Sequence, residues 1–188
     1  MIDFKLLHES ILYYEAEGFS RVETPWAVTE EVDKITKSTN NQSFQIKHND
    51  KCLVASGEQS FLYQYLKGFL PKGRFQTITP CFRFENFDFL HSKYFIKNEL
   101  IITDKVTDSA LDEVVDIALG FYREYIPNAI VVEHADGFDI EINGKELGSY
   151  GIRECEFLKW IYATGCAEPR TSNLIKLYGI SYTNDKKG

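Results

Sequence analysis

Between Phe82 and Glu99 the chain reads Phe-Arg-Phe-Glu-Asn-Phe-Asp-Phe-Leu-His-Ser-Lys-Tyr-Phe-Ile-Lys-Asn-Glu, and no other stretch limits so sharply what it can fold into. Two alternating runs enclose a turn region, the pattern of two strands joined by a loop of about seven residues. Residues two apart share a face of a strand. Arg83 and Glu85 therefore point one way as the first strand ends, and Phe95, Lys97 and Glu99 share a face of the second. With those faces aligned, the hairpin becomes a floor bearing a guanidinium, carboxylates, an ammonium and an aromatic ring. Such a floor suits a nucleoside triphosphate: an arginine fork on phosphate, a ring against the base, carboxylates for a metal or an amine. The same alternation describes an antiparallel pair with a solvated charged face, and the hairpin alone leaves both readings open.

A hairpin needs layers to pack on, and 188 residues suffice for a single domain over 1–188 with a proper core. Hydrophobic residues make up 44% of the chain and aromatic ones 14%, which excludes a disordered chain. No apolar run reaches the length of a membrane span, and Met1-Ile2-Asp3 opens no signal peptide. A cytoplasmic protein without membrane contact is expected. Cys52, Cys81, Cys155 and Cys166 lack metal-ligand spacing, so reduced thiols are expected, with neither zinc nor redox chemistry. A net charge of −7 argues against a broad nucleic-acid surface, and no DNA partner is expected. The Lys186-Lys187 tail reads as solvated.

Taken in order, Phe4, Leu7, Ile11 and Tyr14 recur at helical spacing, with Leu6 and Leu12 widening the stripe. Asp3 stands where a cap starts the helix and Gly18 where a left-handed residue ends it. Residues 19–23 read as a short strand stopped by Thr24-Pro25, with Trp26 beyond the break. A short helix over 30–35, a polar turn at 38–41 and a strand over 51–55 follow. The strand runs into Ser56-Gly57-Glu58-Gln59 and a helix carrying Phe61, Leu62, Tyr65 and Leu66, closed by Gly68. That strand-to-helix junction presents polar side chains and free amides, as ligand sites and ordinary caps both do. After the hairpin a long helix runs from Ala110 to near Tyr125. Residues 129–132, 138–142 and 146–152 read as strands, the last two joined by an Asn143-Gly144 turn. A glycine-containing turn and a helix over 171–178 finish the chain, with Tyr150 and Trp160 as core. His8, His48 and His134 read as ordinary histidines, since none falls at metal-ligand spacing. Strands with inserted helices but no regular alternation predict an α+β fold, a mainly antiparallel sheet flanked by helices.

Three separated patterns together resemble the catalytic core of class II aminoacyl-tRNA synthetases. Gly18-Phe19-Ser20-Arg21-Val22-Glu23-Thr24-Pro25 is similar to that family's first motif, a helix-strand unit ending in proline at a dimer interface. Phe82-Arg83-Phe84-Glu85, then His91 and Phe95 four apart, is similar to the second. Ala163-Thr164-Gly165-Cys166-Ala167-Glu168-Pro169-Arg170 matches the third in length and terminal arginine, with alanines at its first and last glycine positions, where a methyl group would crowd ATP. The resemblance implies ATP and Mg2+ as cofactors and attack of an amino acid carboxylate on the α-phosphate. It implies Arg83 on the α-phosphate, His91 and Arg170 on the outer phosphates, Phe95 on adenine and Glu85 at its amino edge. It also implies a homodimer through residues 18–25.

Residues 138–153 narrow the likeness to the aspartyl, asparaginyl and lysyl branch, and part of them is similar to aspartate–ammonia ligase. Asp139 and Glu146, either side of a tight turn, are candidates for magnesium, and Arg153 for a substrate carboxylate. Ser56, Glu58, Lys97 and Glu99 are candidates for the amino acid, the two glutamates for its ammonium group. Phe61 stands where aspartyl enzymes carry a lysine, which leaves the amino acid open. With no anticodon-binding domain expected, the acceptor is tRNA, ammonia or another nucleophile. An adenylate-forming ligase of small amino acids, an amide ligase and a non-catalytic binding paralogue all fit.

Overall fold

Asp3 starts the first helix: its carboxylate accepts from the Lys5 and Leu6 amides at 3.0 and 3.1 Å, and α1 runs Phe4–Ala16. Gly18, at φ +87°, turns the chain out of it. Ser10 lies within the buried stripe, among Leu6, Leu7, Ile11 and Tyr14, whereas Phe4 and Leu12 fall at its margins and are exposed. The computed structural model describes residues 1–37, 42–84 and 93–180. The predicted turn at 38–41, Glu85, His91 and the Lys186-Lys187 tail lie outside them.

In chain order, β1 (Ser20–Arg21), β2 (Ala27–Thr29), α2 (Glu30–Thr36), β3 (Lys51–Leu53) and α3 (Gly57–Leu66) lead to the hairpin strands β4 (Arg74–Phe82) and β5 (Tyr94–Ile102). Helix α4 (Asp108–Arg123) follows, then β6 (Ile130–His134), β7 (Gly137–Ile142), β8 (Lys145–Cys155), β9 (Leu158–Glu168) and α5 (Arg170–Tyr178). Seven strands make one mixed sheet in the order β1-β4-β5-β9-β8-β7-β6, antiparallel except for β1 on β4. Strands β2 and β3 pair separately.

One expectation is overturned here. Where the sequence shows only a glycine-containing turn ahead of the helix over 171–178, Leu158–Glu168 forms the 11-residue strand β9 between β5 and β8. Most of this strand is buried, so the alternation that marks a half-buried strand is absent from its sequence. Strand β8 extends past the predicted end at 152, which puts Arg153 inside the sheet. Strand β2 was not foreseen either.

The sheet separates two cores. Helices α1, α4 and α5 cover one face through Tyr14, Val114, Phe121, Tyr122 and Leu174, against Leu100, Ile140, Tyr150 and Ile161. On the other face Val28, Val32, Phe61 and Leu62 of the α2–α3 region pack against Phe75, Ile101, Leu158 and Trp160. Two bulges interrupt the ladders, with Gly165 the extra residue of β9 opposite Asn98/Glu99 and Leu147 that of β8 opposite Ile140/Glu141. Tyrosines of the α1/α4 side meet the carbonyls at these bulges: Tyr14 donates to Gly165 at 2.9 Å, Tyr150 to Thr164 at 2.9 Å and Tyr122 to Leu147 at 3.1 Å. Gly165 is needed for this approach, since a Cβ there would stand 2.9 Å from the Tyr14 ring. Ala163 joins the same core, so its methyl group does not face the cavity.

Candidate active site

The face of the sheet left open beside α3 is the floor of a cavity of about 320 Å³, lined by Ser56, Glu58, Arg83, Lys97, Glu99, Glu146, Ser149, Arg153, Tyr162 and Thr164 among others. Strand register assembles it: Lys97 lies opposite Thr79, and Glu99 lies between Thr77 and Thr164. Ser56 caps α3 by accepting from the Glu58 amide at 3.3 Å and gives its own proton to Glu99 at 2.5 Å. Lys97 donates to the other Glu99 oxygen at 2.8 Å, and both residues are buried.

Glu58, in the first turn of α3, is buried with both carboxylate oxygens engaged. Its two oxygens take the Trp160 indole N–H at 2.7 Å and Arg153 Nη1 at 2.5 Å. Burial raises its pKa above the ordinary glutamate range, against the lowering effect of Arg153. Burial is the largest influence on Arg153 and opposes its charge, but Glu58, with Tyr162 and Glu99, leaves the guanidinium pKa raised. That guanidinium lies over the Tyr162 ring at 4.1 Å.

Of the predicted phosphate ligands, Arg83 follows β4, donates from Nε to the Ala55 carbonyl at 3.0 Å, and sits 5.0 Å above the Phe95 ring expected to meet adenine. Arg170 is the first residue of α5, where the helix dipole disfavours a cation, and it pairs with Glu146 at 2.5 Å. Glu85 and His91 lie outside the described residues. Asp139 and Glu146 engage different partners: Asp139 lies opposite Ser149, with His134 Nε2 3.2 Å from its carboxylate. His134, Asp139 and Glu141 bring their ligand atoms within 4.8 Å of one another, a grouping that sequence spacing did not reveal.

Sequence reasoning missed a second polar cluster at the cavity wall. Asp33, buried on α2, accepts from Gln59 Nε2 at 3.0 Å and from Ser43, with Lys37 Nζ 3.6 Å away. The available signal was an acidic residue beside Val32 in an otherwise amphipathic turn. Phe44 and Phe84 stack at 4.0 Å nearby, and Phe84 lines the cavity. Among the described residues no helix is long and apolar enough to cross a membrane.

No family model and no curated protein matches the sequence. Solved structures do share the fold. Pyrrolysyl-tRNA synthetase from Desulfitobacterium hafniense aligns at a TM-score of 0.71 and 19% identity, over 93% of this chain and 70% of its own. Seryl-tRNA synthetase from Pyrococcus horikoshii, in complex with ATP, aligns at 0.73 and 14%, over 92% and 49%. Cytoplasmic serine-tRNA ligase from Naegleria fowleri, in complex with AMP, aligns at 0.67 and 18%, over 89% and 52%. The chain thus spans about half the length of the two seryl proteins.

Proposed function

Because this chain has the fold of the class II aminoacyl-tRNA synthetase core, we propose that it is an ATP-dependent ligase that activates a small amino acid as its adenylate. The supporting observation is the gathering of Arg83, Lys97, Glu99, Glu58 and Arg153 around one cavity on the open face of the sheet. Ser56 and Glu99 bind the ammonium group. A carboxylate oxygen of the amino acid attacks the α-phosphorus, a new P–O bond forms as the bond to pyrophosphate breaks, and no proton moves. Arg83 orients the α-phosphate, and Arg170 reaches the outer phosphates on leaving Glu146. Hard carboxylate oxygens suit a magnesium ion: Glu146, which lines the cavity, would hold it once freed from Arg170, and Asp139, on the neighbouring strand β7, would join it on leaving His134. When bound, it supplies charge neutralisation on the phosphates. The acceptor that takes up the activated group is tRNA, ammonia or another nucleophile.

ATP–pyrophosphate exchange across an amino acid panel tests this. Exchange with one substrate, lowered on the order of 100-fold or more by Arg83→Ala, is expected. Folded protein that exchanges with none sinks the proposal. Binding without turnover is a second reading, and it rests on the Phe95 ring: a base can stack there only after Arg83 swings off it.

A further inference from the structure

Three carboxylates at the cavity are each matched by a cation of the chain. Asp33 has Lys37, Glu99 has Lys97 and Glu58 has Arg153, at 3.6, 2.8 and 2.5 Å. The third pair is built differently from the others. Glu58 is 3% exposed with both oxygens used, whereas the Arg153 side chain is 40% exposed and lines the cavity. A guanidinium has five N–H groups, and Glu58 holds Nη1. The pair is therefore neutral and still a donor. One turn along α3, Phe61 is buried in the apolar core and adds no cation to this wall.

We propose that Glu58 determines specificity: by neutralising Arg153 it makes this wall an uncharged hydrogen-bond donor, so the amino acid taken has an uncharged, oxygen-bearing side chain, a carboxamide or a hydroxyl. The inference rests on the amino-acid-activation reading above. A carboxylate side chain would lose its water and meet Glu58 across a cation that is already matched. A basic side chain would meet Arg153 itself. A wholly apolar one would strip water from the guanidinium donors without replacing it.

The test is isothermal titration of the full chain, with ATP and magnesium present, using L-asparagine, L-serine, L-aspartate, L-lysine and L-leucine. Asparagine or serine is expected to bind about 10-fold or more tighter than aspartate. Glu58→Gln keeps the side-chain volume and an acceptor for Trp160 but leaves Arg153 unmatched. It should shift the preference toward aspartate by a similar factor, a ratio that a merely structural role would not move. Tightest binding of aspartate, lysine or leucine by the unmutated chain overturns the inference alone, and so does an unchanged ratio in folded Glu58→Gln. If that variant does not fold, the ratios of the unmutated chain decide. Binding of no amino acid at all overturns the activation reading together with this one.

Discussion

Gly57 shows how little slack the site has. A Cβ at this position would stand 2.8 Å from Cβ of Glu99 and 3.2 Å from Thr79 Oγ1. The close approach is what lets Ser56 reach Glu99 at 2.5 Å. Gly57→Ala should cost about 1–3 kcal/mol in urea denaturation and weaken amino acid binding, and an unchanged midpoint would contradict the packing argument. Glu58 sets a pH dependence. Its folded pKa is raised by burial, so the folded state holds the proton more tightly than the unfolded chain. The stability it contributes is complete below the unfolded value of about 4.3 and is lost as pH rises through the folded one. Denaturation at a series of pH values should show unfolding free energy falling across that window, less steeply in Glu58→Gln.

Elements differ in how much of them the sequence displayed. Helix α1 has a cap, a stripe and a terminating glycine, and the β7–β8 turn has Asn143 and Gly144 at φ 49° and 69°, so both were legible. Strand β9 was not, because burial along nearly its whole length removes the period. The candidate site divides the same way. Ser56, Glu58, Lys97, Glu99 and Arg153 were singled out by local pattern and resemblance, but their partners were not. Glu58 meets Arg153 and Trp160 across 95 and 102 residues of chain, a contact fixed by sheet register that no local spacing encodes. At this scale the joint between α1 and β9 is open to test: Tyr14→Phe leaves the Gly165 carbonyl buried without its donor. A loss of about 1–3 kcal/mol is expected; a neutral result would mean that the bulge finds another partner.

Across the whole molecule, the sheet has one face closed by α1, α4 and α5 and the other half open as the floor of the cavity. The homodimer that the resemblance implies would use residues 18–25, and Trp26 beside them is 59% exposed. Analytical ultracentrifugation should find a dimer that Trp26→Glu weakens, and a monomer at micromolar concentration would contradict it. The tyrosines beneath the floor give the assembly an optical readout. The chain has 11 tyrosines, and burial raises the pKa of Tyr14, Tyr122 and Tyr150 well above the usual phenol value. Their share of stability is intact below the unfolded pKa of about 10 and vanishes only at higher pH. In an alkaline ultraviolet titration these three phenols should stay dark until the bulges come apart. Their late appearance as phenolate would report, from the far side of the sheet and without any ligand, the moment at which the cavity floor fails.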